Sequence, residues 1–154
     1  MKRLYFDVSK CVACRTCELV CCVGHSLAQD LFKDVKDKTI SYPRIKVALA
    51  KAKNYPVACR HCEDPKCVTA CMSAALTKDA KTGEVIHNKD KCVGCWMCVM
   101  VCPYGAIHSD REEKIALKCD MCFDIGEPRC AKSCPVKAIL WVEEAELDKI
   151  CQKK

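Results

Sequence analysis

The chain has 154 residues, 26 lysines and arginines against 20 acids for a formal charge of +6, and 18 cysteines, about 12% of the total. That length suits one small domain or two halves sharing a core, and the cysteine content sets a disulfide scaffold, a structural zinc module and a metal-cluster protein in competition. The longest apolar run, Val93 to Ile107, falls short of the roughly 18–20 residues a membrane span needs, and the basic balance comes with no nucleic-acid recognition motif, so neither a span nor a nucleic-acid partner is expected.

Taken in chain order, the first predicted element is a strand over Leu4–Val8, where side chains alternate. The start, MKRLYFDVSK, has a basic tip but no apolar stretch, so a secretory leader is not expected. A cytoplasmic setting, where thiols stay reduced, follows as the expectation. The stretch from Val23 to Ala58 is the one long cysteine-free insertion, with seven basic residues (Lys33, Lys36, Lys38, Arg44, Lys46, Lys51, Lys53) against three acids (Asp30, Asp34, Asp37), or +4. Within it, Tyr42 to Leu49 reads as an edge strand opened by Pro43. This basic face is either ordinary solvated surface or a docking surface for an acidic partner.

Farther on, Leu76–Lys78 and Val85–His87 flank Asp79–Glu84 as a hairpin with Gly83 in its turn. Ile107–Ser109 and Lys114–Leu117 flank a charged turn over Asp110–Glu113, and Ile139–Val142 makes a further strand. Residues 143–153 read as a C-terminal helix whose first turn is acidic, which suits the helix dipole. The class is α+β with small sheets.

Sixteen of the cysteines fall into four groups: Cys11, Cys14, Cys17, Cys21; Cys59, Cys62, Cys67, Cys71; Cys92, Cys95, Cys98, Cys102; and Cys119, Cys122, Cys130, Cys134. The first and third groups read C-x2-C-x2-C-x3-C, and the last two end in Cys-Pro at Pro103 and Pro135. This is the bacterial ferredoxin run, in which three thiolates hold one [4Fe–4S] cluster and the fourth reaches a neighbour. A disulfide framework has no reason to repeat that spacing. Sixteen ligands at four per cluster make four [4Fe–4S] clusters, while a zinc-stabilised interaction module remains the alternative of another class. The third-to-fourth step is always x3, so a short helix puts both cysteines on one face, one turn apart.

The groups also repeat in pairs. Asp7-Val8-Ser9-Lys10 leads into group one as Asn88-Lys89-Asp90-Lys91 leads into group three. Likewise Asp64-Pro65-Lys66-Cys67 parallels Glu127-Pro128-Arg129-Cys130 in groups two and four. The order is A, B, A′, B′, a duplicated pair.

Each loaded site is −2 (core +2, four thiolates −4), so four sites turn +6 into −2. The lysine excess then reads as internal counter-charge. Trp96, Met97, Val99, Met100 and Val101 are expected to supply apolar shell around clusters. With all sixteen motif cysteines used as ligands, no open iron site is evident. There is no C-x3-C-x2-C radical motif and no G-x-G-x-x-G among only five glycines, so no catalytic residue is expected. Of the four scattered histidines (His25, His61, His87, His108), His61 lies inside a ligand loop and could hydrogen-bond a sulfur.

The run Cys92-Val93-Gly94-Cys95-Trp96-Met97-Cys98-Val99-Met100-Val101-Cys102-Pro103-Tyr104-Gly105-Ala106-Ile107, with Cys59-Arg60-His61-Cys62-Glu63-Asp64-Pro65-Lys66-Cys67 before it, resembles the four-cluster ferredoxin-like electron-transfer subunits. Within that superfamily the closest resemblance is to the iron–sulfur protein that partners carbon monoxide dehydrogenase. Similar subunits serve tungsten or molybdenum aldehyde and formate oxidoreductases and hydrogenases. The resemblance implies a non-catalytic relay of single electrons to a hydrogenase, a nicotinamide reductase or a soluble acceptor.

It also implies two pseudo-symmetric ferredoxin-like halves, one from 1–30 plus 105–142 and one from 55–104, with the basic insertion at 23–58. Ligands would cross within each half. The implied sets are Cys11/Cys14/Cys17/Cys134, Cys119/Cys122/Cys130/Cys21, Cys59/Cys62/Cys67/Cys102 and Cys92/Cys95/Cys98/Cys71. Two positions depart from the family pattern: Cys22 and Met72 stand where proline is common after the fourth ligand. Cys22 could in principle replace Cys21, though x3 spacing favours Cys21, and Cys151 lies outside every group.

Overall fold

Eight short strands among the described residues pair two by two, and every cysteine group hangs from the end of one of them. The computed structural model describes residues 2–50, 53–143 and 146. The strands are β1 (Lys2–Phe6), β2 (Ile45–Ala50), β3 (Lys53–Ala58), β4 (Leu76–Lys78), β5 (Val85–His87), β6 (Ile107–Asp110), β7 (Ile115–Lys118) and β8 (Ile139–Glu143). The pairs β2–β3, β4–β5 and β6–β7 are hairpins, while β1 pairs antiparallel with β8 from the far end of the chain, Phe6 opposite Ile139.

Among the described residues, five short α-helices carry the third and fourth ligands or the insertion: α1 (Thr16–Gly24), α2 (Leu31–Lys36), α3 (Lys66–Thr69), α4 (Met97–Val101) and α5 (Arg129–Lys132). No helix among the described residues is long and apolar enough to cross a membrane.

The x3 steps are helical as expected, and the two central hairpins fall within a residue of the sequence reading. Three expectations need correction. The first strand is Lys2–Phe6 rather than Leu4–Val8, because the Asp7 carboxylate turns the chain by accepting from the Ser9 N–H and hydroxyl (3.1 and 2.6 Å). The edge strand expected over 42–49 is one arm of the β2–β3 hairpin, starting at Ile45, and its partner β3 carries Pro56. The insertion begins later than Val23, since α1 runs on to Gly24. The helix expected over 143–153, and Cys151 with it, lies outside the described residues.

Within the insertion, Asp34 is fully buried and accepts from the Ala28 and Asp30 N–H groups and the Thr39 hydroxyl (3.0, 3.1 and 2.7 Å). Asp30 caps α2 by accepting from the Lys33 N–H at 3.0 Å. One carboxylate therefore organises the fold of a polar segment that has little apolar core of its own.

Burial divides in two. One core gathers Cys17, Cys21, Ile45, Val47, Ala58, Cys119, Met121, Cys130, Ala131, Cys134, Ala138 and Ile139, with α1 packed on α5. The other gathers Leu76, Val85, Cys98, Ile107 and Ala116, flanked by Cys67, Cys71, Cys92 and Cys102, with α3 packed on α4. Buried cysteines of groups one and four thus meet in the first core, against which Cys59 of group two also packs, and Cys67, Cys71, Cys92, Cys98 and Cys102 of groups two and three meet in the second.

Candidate metal centres

The duplicated cysteine pattern has a matching geometry. Groups one and three begin five residues beyond a strand end (Phe6 to Cys11, His87 to Cys92), and groups two and four begin directly after one (Ala58 to Cys59, Lys118 to Cys119). In all four groups the residue before the second cysteine has positive φ: Ala13 (55°), His61 (47°), Gly94 (65°) and Met121 (56°). That left-handed step curls the loop so that successive cysteines point inward. It costs a side-chain-bearing residue about 1–3 kcal/mol, a strain characteristic of sites the surrounding fold holds in place.

Backbone donors converge on the sulfurs. Ala106 N–H points to Cys102 Sγ (3.4 Å) and Ala138 N–H to Cys134 Sγ (3.2 Å), each four residues past the ligand, after a left-handed residue at Gly105 or Lys137. Ala74 makes the same turn after Cys71, whose thiol is held down by the Leu76, Ala75 and Ser73 N–H groups and the Ser73 hydroxyl against the opposing effect of burial. Cys21 is the exception. Cys22 follows it, α1 continues through Gly24, and no such turn forms. The insertion supplies the donor instead, as Arg44 N–H lies 3.2 Å from Cys21 Sγ. Among the described contacts of these two adjacent cysteines, this backbone N–H points to the Cys21 sulfur.

The lead-in residues close the same loop twice. Asp7 N–H donates to Ala138 O, and Asn88 N–H donates to Ala75 O, both at 2.8 Å. Each acceptor lies four residues past a fourth cysteine, Cys134 in one case and Cys71 in the other. The segment entering group one is thereby tied to the end of group four, and the segment entering group three to the end of group two.

Two cavities carry that relation to the thiols. One is lined by Cys92, Cys95 and Cys98 together with Cys71. The other is lined by Cys59, Cys62 and Cys67 together with Cys102. In the other core, burial first, then the neighbouring Cys21, Cys122 and Cys17, push the Cys130 thiol up to about 12. Burial also pushes Cys119 well up, and Cys130, Asp120 and Cys21 add to that rise. Burial likewise lifts Cys17 and Cys67 to about 11. Thiols this reluctant to ionise become thiolates when a metal coordinates them, and binding then releases protons.

The seventeen described cysteines are all free, which leaves the disulfide scaffold without support among them. A single zinc with Zn–S bonds of about 2.3 Å would draw its sulfurs to roughly 3.8 Å apart. Among the described residues no three cysteine sulfurs lie within 4.8 Å of one another. The two four-sulfur cavities, with an N–H group aimed at a ligand sulfur, form a donor set that suits an iron–sulfur core.

Several expected roles change. His61 is fully buried but does not hydrogen-bond a sulfur. Its Nδ1 accepts from Val85 N–H (3.0 Å) and its Nε2–H donates to Cys119 O (3.1 Å), which fixes one neutral tautomer. Burial first, then the Lys118 charge, push its pKa down to about 3. The histidine beside a sulfur is His25. Its Nδ1 lies 2.8 Å from Cys21 O and 3.7 Å from Cys21 Sγ, and its Nε2 lies 3.2 Å from the Asp120 carboxylate, which also takes the Arg44 guanidinium. Burial opposes charge on His25, but the Asp120 and Cys21 hydrogen bonds outweigh it and raise its pKa to about 9.

Met97 and Met100 do not form apolar shell, being 43% and 80% exposed. The lysine excess is not internal either, because Lys118 alone is buried among the described lysines. No motif announces the His25–Asp120–Arg44 cluster, whose members lie 76 and 95 residues apart in sequence.

Residues 50–144 match the family model described as a 4Fe-4S dicluster domain. The sequence is 32% identical to the electron transport protein HydN of Escherichia coli (strain K12), over 96% of its own length and 91% of HydN. It is 35% identical to one subunit of the anaerobic dimethyl sulfoxide reductase of the same organism, over 88% of its own length and 70% of that subunit. Among solved structures it is similar, with a TM-score of 0.50 and 21% identity, to a component of the active site complex BamBC of benzoyl coenzyme A reductase in complex with benzoyl-CoA, covering 99% of this protein and 88% of that component. That likeness is one of fold.

Proposed function

The chain belongs to the 4Fe-4S dicluster domain family, and on that premise we propose that it relays single electrons through four clusters between a low-potential oxidoreductase of the carbon monoxide dehydrogenase type and a hydrogenase, nicotinamide reductase or soluble acceptor. It is a non-catalytic electron-transfer component with [4Fe–4S] clusters as its cofactors.

The proposed ligand sets are Cys11/Cys14/Cys17/Cys134, Cys119/Cys122/Cys130/Cys21, Cys59/Cys62/Cys67/Cys102 and Cys92/Cys95/Cys98/Cys71. The observation that carries this crossover is the pair of cavities that each join three cysteines of one group to the fourth cysteine of another. The same sets divide the chain into the two proposed pseudo-symmetric halves, 1–30 with 105–142 and 55–104; most of the buried cysteines follow that division, whereas Ile107 and Ala116 of the hairpin β6–β7 pack in the second core and Ala58 and Cys59 pack with the first. A cytoplasmic location is part of the proposal, since free thiols persist there.

When bound, each cluster supplies a one-electron couple whose potential depends on net charge, hydrogen bonds to sulfur and solvent exposure. The chain's own residues set these levers. Cys17, Cys98, Cys119 and Cys130 hold their sulfurs away from water. The Arg44, Ala106, Met121 and Ala138 N–H groups donate to ligand sulfurs, which stabilises added negative charge there. Cys14 and Cys95 lie exposed, so electrons can enter or leave over a short distance at their edges.

A second reading, a subunit of a tungsten or molybdenum aldehyde or formate oxidoreductase, is favoured by the similarity to a subunit of an anaerobic reductase. Anaerobic affinity purification of the tagged protein from its native cells discriminates them. Co-purifying carbon monoxide dehydrogenase supports the first reading and a tungsten or molybdenum subunit the second. A protein that runs alone and exchanges electrons with neither class overturns both.

A further inference from the structure

Lys118 ends β7 immediately before Cys119 and is 4% exposed, the one buried lysine among the described residues. Its ammonium donates to Val85 O (2.5 Å) and to Cys119 O (2.8 Å). Those two carbonyls belong to different cores, Val85 to the one with groups two and three and Cys119 to the one with groups one and four. The side chain thus crosses the seam between them.

No carboxylate among the described residues pairs with it. Glu84 feels its charge but stands outside ion-pair distance, and His61, beside it, is neutral. A buried cation without a counter-ion is costly, and proteins keep such groups paired or neutral. Here two carbonyl dipoles solvate the ammonium without cancelling its charge. Val85, whose carbonyl takes the ammonium, also lines the cavity of Cys59, Cys62, Cys67 and Cys102, so the charge stands next to the group-two site.

We propose that Lys118 is a built-in counter-charge for the group-two cluster, raising that cluster's reduction potential so that the electron rests at the seam between the halves. The inference rests on the cluster-binding reading above. Reduction adds one electron to the site, taking it from −2 to −3, and a fixed positive charge in a low-dielectric seam favours the more negative state. A cation at this point biases the inner end of the relay, where an electron passes from one half to the other. Lys118 is therefore a tuning residue that acts through its charge and coordinates no metal.

The test uses anaerobically loaded full-length protein, with each midpoint followed by electron paramagnetic resonance during a redox titration. Lys118→Gln keeps a donor and removes the charge, and Lys118→Met removes both. Lys118→Arg keeps the charge. The two neutral variants are expected to lower one midpoint by at least the 59 mV that corresponds to a tenfold change in the reduced-to-oxidised ratio of a one-electron couple. The signal that moves should be the one lost in Cys62→Ser, and Lys118→Arg should stay near wild type, including when it alone among the three retains its clusters.

Unchanged midpoints in a neutral variant that retains its iron would overturn the proposal. So would equal shifts at all clusters, a Lys118→Arg shift as large as that of Lys118→Gln, or loss of clusters from all three variants alike, which would make the residue a structural brace. Iron and acid-labile sulfide measured on the same wild-type samples separate this from failure of the cluster reading itself.

Discussion

His61 gives the sharpest structural prediction. Its ring is fully buried at the seam, where Val85 N–H donates to Nδ1 and Nε2–H donates to Cys119 O. Truncation to alanine affects those partners unequally. The Cys119 carbonyl keeps the Lys118 ammonium as a donor at 2.8 Å, whereas Val85 N–H loses its acceptor. An unsatisfied buried N–H costs about 1–3 kcal/mol. The volume left by the imidazole adds about 2 kcal/mol, for a total of about 3–5 kcal/mol against a typical stability of roughly 5–15 kcal/mol. For a chain of this size that is a drop in Tm of about 10 °C.

Asparagine separates the two contributions. Its Oδ1 takes the place of Nδ1, and it tolerates the φ of 47° at this position better than alanine. His61→Asn should therefore recover about half of the loss. The assay is anaerobic thermal unfolding of loaded protein at one fixed scan rate, because cofactor proteins seldom unfold reversibly. If His61→Ala melted within about 2 °C of wild type, or if asparagine did as much harm as alanine, the hydrogen-bond reasoning would be wrong.

Three further outcomes are expected. Cys134→Ser should damage the cluster held by Cys11, Cys14 and Cys17 while the centre of Cys119, Cys122 and Cys130 survives, and a paramagnetic resonance spectrum lacking only the group-four centre would refute the crossover. Gly94→Ala should be far more harmful than Gly105→Ala: both glycines have positive φ, but a Cβ at Gly94 would sit 2.4 Å from Lys114 O and one at Gly105 meets nothing within 4 Å. Cluster content after mild heating should fall in the first variant only, the second bearing just the left-handed penalty of about 1–2 kcal/mol. Asp34→Asn should loosen residues 26–41, because an amide cannot accept from three donors as a carboxylate does; limited proteolysis should then cut there first, and an unchanged cleavage pattern would contradict the role given to Asp34.

Much of this molecule is written locally in its cysteines. The fixed x3 step, the hairpin turns around Gly83 and Asp110, and the A, B, A′, B′ repeat all depend on neighbours a few residues apart, and all reappear in the fold. Even the likeness of Asp7 and Asn88 proved physical, since both side chains turn the chain and both N–H groups bond four residues past a fourth cysteine.

What stayed hidden depends on distant contacts. Nothing near Lys118 in sequence distinguishes it from the fifteen other described lysines; its burial comes from Val85, 33 residues away. His61 looks like a sulfur donor because it sits in a ligand loop, yet the left-handed backbone at that residue turns the ring toward β5 instead. The insertion reads as a charged surface, but its Arg44 supplies the N–H that α1 cannot, because Cys22 lets the helix run on. Met97 and Met100 lie in the most apolar stretch and still face outward, since a helix of five residues buries only one side.

What fills the four-cysteine sites decides the function, and chemical analysis of oxygen-free, reconstituted protein measures it directly. Four irons and four acid-labile sulfides for each of four clusters, with a brown chromophore bleached by dithionite, is the expected result. Colourless protein holding about four zinc ions per chain, with no labile sulfide, would contradict the account at its root.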